Sequence, residues 1–178
     1  NGDKWNVAGV NAPGATVVVD SGSQLFPNTT ASTFGGVRII GTGNTEARGA
    51  IRMSTSLTAP ITLLGDATIG AEGGVLNGTV STGVAGTSTL TLGTVNSNNL
   101  VNNMMNGVIS NGTGTLALAV LNQNIGNIFI NGASLNTYSG GTTLLNSANG
   151  TRLVISTISG TPYGTGAITI GQANTDKA

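Results

Sequence analysis

Asp66 and Glu72 sit six residues apart, on either side of the strand-like run Ala67-Thr68-Ile69-Gly70, with Glu46, Arg48 and Arg52 upstream. Grouped carboxylates of this kind can act as acid and base in glycoside hydrolysis, or ligate calcium. The plainer reading makes them turn residues, or surface ion pairs that each contribute little. The chain has neither histidine nor cysteine. That excludes imidazole and thiolate metal sites, Ser-His and Cys-His nucleophile pairs, and disulfides. No catalytic, metal-binding or cofactor-binding residue is therefore assigned, and no cofactor is expected.

The remaining chemistry-bearing side chains also have plain readings. Arg38, Arg52 and Arg152 lie in strand-like runs and are expected to point outward, too few for a convincing stripe that grips acidic glycans. Tyr138 and Tyr163 stand beside Gly and Pro. Their rings can stack on sugars, but they read better as corner residues packing over the edge of the fold. Met104 and Met105 read as gap-filling core. Four Asn-x-Ser/Thr sequons, at Asn28, Asn77, Asn111 and Asn149, are what chance supplies in a chain so rich in Asn and Thr.

Whatever holds these residues in place must be built almost without charge. Only 7% of the 178 residues are charged, six basic and six acidic, for a net charge of zero. A nucleic-acid or anionic-membrane surface needs clustered Lys and Arg, so neither partner is expected. Aromatics are 3%, so the bulk of the core must come from many small aliphatics. A mean hydropathy of +0.21 argues against disorder. No apolar run reaches the 18 residues of a membrane helix, so this segment is not expected to insert in a bilayer. The chain starts and stops in polar sequence without a signal-like leader, and residues 1–178 are expected to be one continuous piece of something longer.

Short β-branched runs recur along it: Thr16–Val19, Val37–Ile40, Ile61–Leu64, Thr89–Leu92, Leu116–Val120, Asn127–Ile130, Leu153–Ile155 and Ala167–Ile170. Each is bounded by Gly, Asn, Ser or Asp, as strands should be. No segment has a capped apolar stripe of helical period, and "SNNLVNNMMNGVIS" is too rich in Asn to make one. Internal copies sharpen the picture. "STLTLGTVNSNN" (Ser88 to Asn99) aligns without gaps on "GAITIGQANTDK" (Gly166 to Lys177), which puts Gly93 opposite Gly171. "DATIGAEGG" (Asp66 to Gly74) is a looser third copy, and "LNGTVS" (Leu76 to Ser81) matches "MNGVIS" (Met105 to Ser110).

The six Asn-Gly pairs would suit hairpins. Half-wet antiparallel strands, however, usually alternate with Lys, Glu or Arg, and here the alternating positions hold Thr, Ser, Asn and Ala. A coil that stacks each strand on its counterpart one turn back explains this better, with Thr and Asn laddered outside and Val, Ile and Leu inside. The expectation is an all-β, single-stranded parallel β-helix, a solenoid. At ~22 residues a turn it would hold about eight rungs and, with ~4.8 Å between strands, run about 40 Å. Residues 21–36, rich in Ser, Thr and Asn, are expected to protrude as a loop.

The segment "NTYSGGTTLLNSANGTRLVIST" (Asn136 to Thr157) followed by "GTGAITIG" (Gly164 to Gly171) closely resembles the autotransporter-associated β-strand repeat of bacterial surface proteins. The motif positions are Tyr138, Gly140, Gly141, Thr142, Thr143, Gly164, Gly166 and Gly171, with Gly93 the counterpart of Gly171. "GTGNTEARGAIR" (Gly41 to Arg52) and "APITLLGDATIGAEGGVLNGTVS" (Ala59 to Ser81) are similar to flanking segments of those proteins. The link before the motif, commonly Lys-x-Gly-x-Gly, reads "LNQNIGN" (Leu121 to Asn127) here. The resemblance implies a right-handed coil, secretion to the bacterial surface, and no catalytic residues. The expected role is a structural, non-catalytic rod or fibre component, joined end to end to copies of itself or to adjoining repeats. An adhesin that binds glycans is the alternative, and a polysaccharide-degrading enzyme comes third.

Overall fold

The computed structural model describes residues 2–94, 103–122, 127–130, 136–145, 153–155 and 161–172. Residues 95–102, 123–126, Asn149 and Arg152, on which some of the expectations above fall, lie outside the described residues. Among those described there is no helix, and every strand pairing is parallel. The chain winds as a single-stranded parallel β-helix with three faces.

The first face stacks β1 (Lys4–Val7), β3 (Gln24–Pro27), β5 (Ile51–Met53), the end of β7 (Ile61–Ala71), β10 (Thr87–Thr94), β12 (Thr115–Asn122), β14 (Thr142–Leu145) and β16 (Ile168–Gln172). One unbroken register runs through these eight strands: Trp5, Leu25, Ile51, Ile69, Leu92, Val120, Leu144, Ile170. The second face carries the starts of β2 (Asn11–Val19) and β4 (Ser32–Gly41), then β6 (Leu57–Thr58), β8 (Val75–Leu76), β11 (Asn103–Met105), β13 (Ile128–Ile130) and β15 (Leu153–Ile155). The ends of β2 and β4, the start of β7, β9 (Val80–Thr82) and a single bridge from Val80 to Ile109 form the third.

Inward positions form aliphatic columns that meet in one core. Leu25, Ile51, Ile69, Leu92 and Val120 face Leu57, Leu76, Met105 and Ile130, and both face Val37, Ile61, Val80 and Ile109; all are buried. A fully buried aliphatic of this size contributes about 1.5–3 kcal/mol. The columns thus supply what the missing aromatics do not. Outward on the first face the stack reads Thr68, Thr91, Ala119, Thr143, Thr169, small side chains laddered one per turn, all threonine but one.

The shorter sequence copies stack on one another, whereas the strands of the gapless pair, β10 and β16, are separated by β12 and β14. Leu76 pairs with Met105 and Val80 with Ile109, and Asn106 donates to the side chain of Asn77 at 2.9 Å. Gly70 and Gly93 are also partners. A Cβ on Gly93 would overlap the Leu121 carbonyl of the turn above, and one on Gly70 the Arg48 carbonyl. Gly171 answers a different need: with φ at 78° it sits where the β14–β16 register slips, between Leu144–Ile170 and Leu145–Gln172.

One expectation is corrected. Residues 21–36 do not protrude as a loop: β3 occupies 24–27 with every residue buried, and β4 begins at Ser32. Burial between turns on either side makes a strand of a segment whose own composition favours a turn. The Asn-rich stretch holds a strand, β11, in its described part.

Candidate functional site

Charged groups gather at one corner of the early turns. The loop from Thr42 to Ala50 joins the third face to β5. Asn44 shapes it by accepting from Glu46 N at 3.0 Å through its side chain and from Ala47 N at 2.9 Å through its carbonyl, while Gly49 N donates to Thr42 O at 3.1 Å. Ala47 adopts a left-handed conformation, φ 53°, so Glu46 and Arg48 both turn back over the first face. Gln24, buried beneath, anchors the loop by donating from Nε2 to Gly49 O at 3.1 Å.

Glu46 accepts from Lys4 Nζ at 2.9 Å and from Arg52 Nη1 at 2.9 Å. Glu72 accepts from Arg52 Nε at 2.9 Å and from Arg48 Nη1 at 2.5 Å. Under this chain of charges lies Phe26. It is an outward residue, yet buried, with Lys4 Nζ 4.7 Å and Arg52 Cζ 4.3 Å from its ring centroid. The alkyl stems exclude water from the ring while the cations face its π surface. The hydrogen bond from Lys4 holds the Glu46 carboxyl below its usual range, assisted by the charges of Lys4 and Arg52 and opposed by partial desolvation. Such a carboxylate is a poor proton donor near neutral pH. The arrangement works as a clasp.

The carboxylates that the sequence offers for hydrolysis are not brought together. Asp66 stands in the middle of β7, where it accepts from Thr89 N at 2.7 Å, and Glu72 follows the end of that strand. Six residues of extended strand span about 20 Å. Among the described residues no group of three or more His, Cys, Asp or Glu is placed to hold a metal ion. Arg38 is exposed on the third face beside Val18 and Thr62, whereas Arg52 is engaged on the first. No arginine stripe joins them.

A second constellation lies in the later turns, inside the coil. Where the third face has no strand above Ile109 among the described residues, the Asn136 side chain takes the ladder's place. Its Oδ1 accepts from Ile109 N at 2.7 Å, and its Nδ2 donates to Pro162 O at 3.0 Å, one turn further on. Thr137 N returns a bond to Ile109 O at 3.0 Å. Tyr138 points into the core and is fully buried, its hydroxyl 2.6 Å from Thr142 Oγ1, which also bonds Tyr163 O at 3.0 Å. Burial pushes the Tyr138 phenol up to about 12.

No family model, curated protein or solved structure matches the chain.

The motif positions are therefore placed by geometry alone. Gly140 crosses Leu116 so closely that a Cβ would press on Ala117, and Gly141 opens β14 with φ at 90°. Gly164 and Gly166 pass against Tyr138 and Gly141 one turn later. Thr143 joins the outer threonine stack. Tyr138 differs from expectation: it fills the core rather than packing over an edge, because its hydroxyl finds a buried partner four residues on. Sequence reasoning did not single out Asn136, Phe26 or Lys4. Lys4 and Glu46 lie 42 residues apart, and no local pattern couples them. Asn136 had a signal, being the polar residue at the start of the motif.

Proposed function

We propose that this chain is a structural, non-catalytic element of an extracellular rod or fibre on a bacterial surface, of the kind its autotransporter-associated repeat motif suggests. The observation that carries the reading is the state of the inward column on the first face. Its middle members are buried, Leu25 to 1%, Ile69 to 1% and Val120 to 0%, while Ile170 at one end is 77% exposed and Trp5 at the other 50%. Inward side chains exposed at the open edge of a parallel sheet call for another strand of the same kind. That strand belongs either to adjoining repeats of the same polypeptide or to another copy. A chain with few charges supplies little repulsion against such packing.

The test is electron microscopy of the purified protein over a range of concentrations. Long rods or filaments about as wide as one coil are expected, and compact monomers at every concentration would overturn the reading.

An adhesin reading has one place to stand. Thr45, Glu46, Arg48 and Arg52 line an open polar recess beside the clasp, where a glycan hydroxyl has donors and acceptors within reach. Saturable glycan binding that Arg48→Ala abolishes would favour it over the rod.

A further inference from the structure

The geometry points to a binding site for a singly charged acidic sugar, of the uronate class, in the recess beside the clasp. This deepens the adhesin reading of that corner and does not depend on whether the chain forms rods. The recess, about 320 Å³, is lined by Thr45, Glu46, Arg48 and Arg52, a size at the small end of ligand sites. It lies within the coil, not at an end of it: β5, which carries Arg52, pairs with β3 on one side and with the end of β7 on the other.

What the recess would hold follows from the bonds its walls leave unmade. Glu46 accepts from Lys4 with both oxygens, at 2.9 and 3.1 Å, and from Arg52 Nη1 at 2.9 Å. Glu72 accepts from Arg48 Nη1 and from Arg52 Nε and Nη2. A carboxylate has about four acceptor positions, so both are nearly full, and all three nitrogens of Arg52 are committed. Arg48 is committed at Nη1 alone. Its Nε and Nη2 have no partner among the described residues, and its side chain is 29% exposed. That pair of nitrogens is an edge of the guanidinium fork, which grips a carboxylate through two parallel bonds.

Charge narrows the class. Three cations stand here against two carboxylates. An excess of one suits a monoanion better than a phosphate dianion, which Glu46 would repel. The acceptor position left on Glu46 and the exposed Thr45 call for hydroxyl groups on the same ligand. A carboxylate among hydroxyls is what a uronate offers.

Titrating the purified chain with glucuronate, glucose and acetate, followed by nuclear magnetic resonance, tests the assignment. Glucuronate should shift the Arg48 Nε–Hε resonance saturably and bind roughly tenfold or more tighter than glucose or acetate, the margin a charge-assisted bidentate contact provides. Arg48→Lys keeps the charge but loses the fork, and it should weaken glucuronate by about the same factor, as should Arg48→Ala. Arg52 still holds Glu72 in both variants, so their circular dichroism should match the wild type. Arg38→Ala, on the third face, should bind normally. Acetate binding as tightly as glucuronate, or Arg48→Lys binding like the wild type, would overturn the assignment. If glucose binds the recess as tightly as glucuronate, the acidic class is wrong while the adhesin reading stands. If neither sugar gives a saturable shift by ~10 mM, ten times the dissociation constant of a millimolar site, both fall.

Discussion

In the early turns the corner after β4 is held from outside, by Glu46 and Glu72 gripping Lys4, Arg48 and Arg52 over the ring of Phe26. In the later turns the corresponding corner is held from inside, by Asn136 bridging three turns and Tyr138 filling the core. The two devices answer one problem. A coil of parallel strands has few fixed contacts where it bends, and a bend free to slip would lose the register of every strand beyond it. The outer clasp draws its strength from charge in partial contact with water, so each pair adds little and salt screens it. The inner lock draws its strength from completeness: every polar group is paired, and removing one partner orphans another in a dry interior. Five of the nine charged side chains among the described residues belong to the first device; Asp3, Asp20, Arg38 and Asp66 stand outside it.

The largest expected loss is at the inner lock. Tyr138→Ala removes a fully buried ring and should cost about 3–5 kcal/mol, as large-to-small aromatic truncations in packed cores do. Urea unfolding followed by circular dichroism measures it. A loss under about 1 kcal/mol would mean that the corner repacks and that the ring is not what fixes it. Asn136→Leu keeps the volume but orphans Ile109 N–H and Pro162 C=O. At about 1–3 kcal/mol for each buried unpaired group, a total of roughly 2–4 kcal/mol is expected. Asn136→Asp should be no rescue, because it keeps the acceptor, loses the donor and adds a buried charge.

The outer clasp should respond differently. Arg52→Met leaves the stem that covers Phe26 and removes the cation that both glutamates share. The expected cost is about 1–2 kcal/mol at low ionic strength, discounted for partial exposure. In about 1 M NaCl, where the Debye length falls to roughly 3 Å, the gap between Arg52→Met and wild type should shrink by half or more. The gap between Asn136→Leu and wild type should not move. Equal salt sensitivity of the two variants would erase the distinction drawn between the corners.

The same contrast explains what could be read in the sequence. Six of the eight β-branched runs picked out by pattern lie wholly within strands, Thr16–Val19 in β2 and Leu116–Val120 in β12 among them, while Asn127–Ile130 and Ala167–Ile170 each begin one residue before theirs. Repetition also matched Leu76 to Ser81 with their stacking partners and, through the looser copy, Gly93 with Gly70, but Gly171, the gapless counterpart of Gly93, lies further along the face on β16. These features are local, or are copied along the chain, and periodicity exposes both. Strands as short as β6, or as oddly composed as β3 with Phe26 and Pro27, owe their form to neighbours one turn away. Residue patterns alone do not show that. Nor does the sequence show that Glu72 sits with Arg48 and Arg52 while Asp66 does not, because the corner loop decides it. The inward turn of Tyr138 depends on the buried hydroxyl of Thr142, and so on the turn of chain between them.

Titration offers the finest separation of the two corners, because their groups shift in opposite directions. Tyr138 is raised from 10.0 to about 12, so folding favours the protonated phenol. Its contribution is complete below pH 10 and drains away as pH climbs from 10 towards 12, where the unfolded chain ionises and the folded one does not. Glu46 is lowered from 4.5, so folding favours the carboxylate. Its contribution is complete above about pH 5 and is lost as pH falls through its folded value. Melting temperature against pH should therefore decline at both extremes in the wild type. Tyr138→Phe should flatten only the alkaline limb, and Glu46→Gln should flatten only the acid limb, by the smaller amount, since Glu46 is in partial contact with water. An alkaline limb that survives Tyr138→Phe unchanged would place the titrating group elsewhere and remove the phenol from the account of how the inner corner is held.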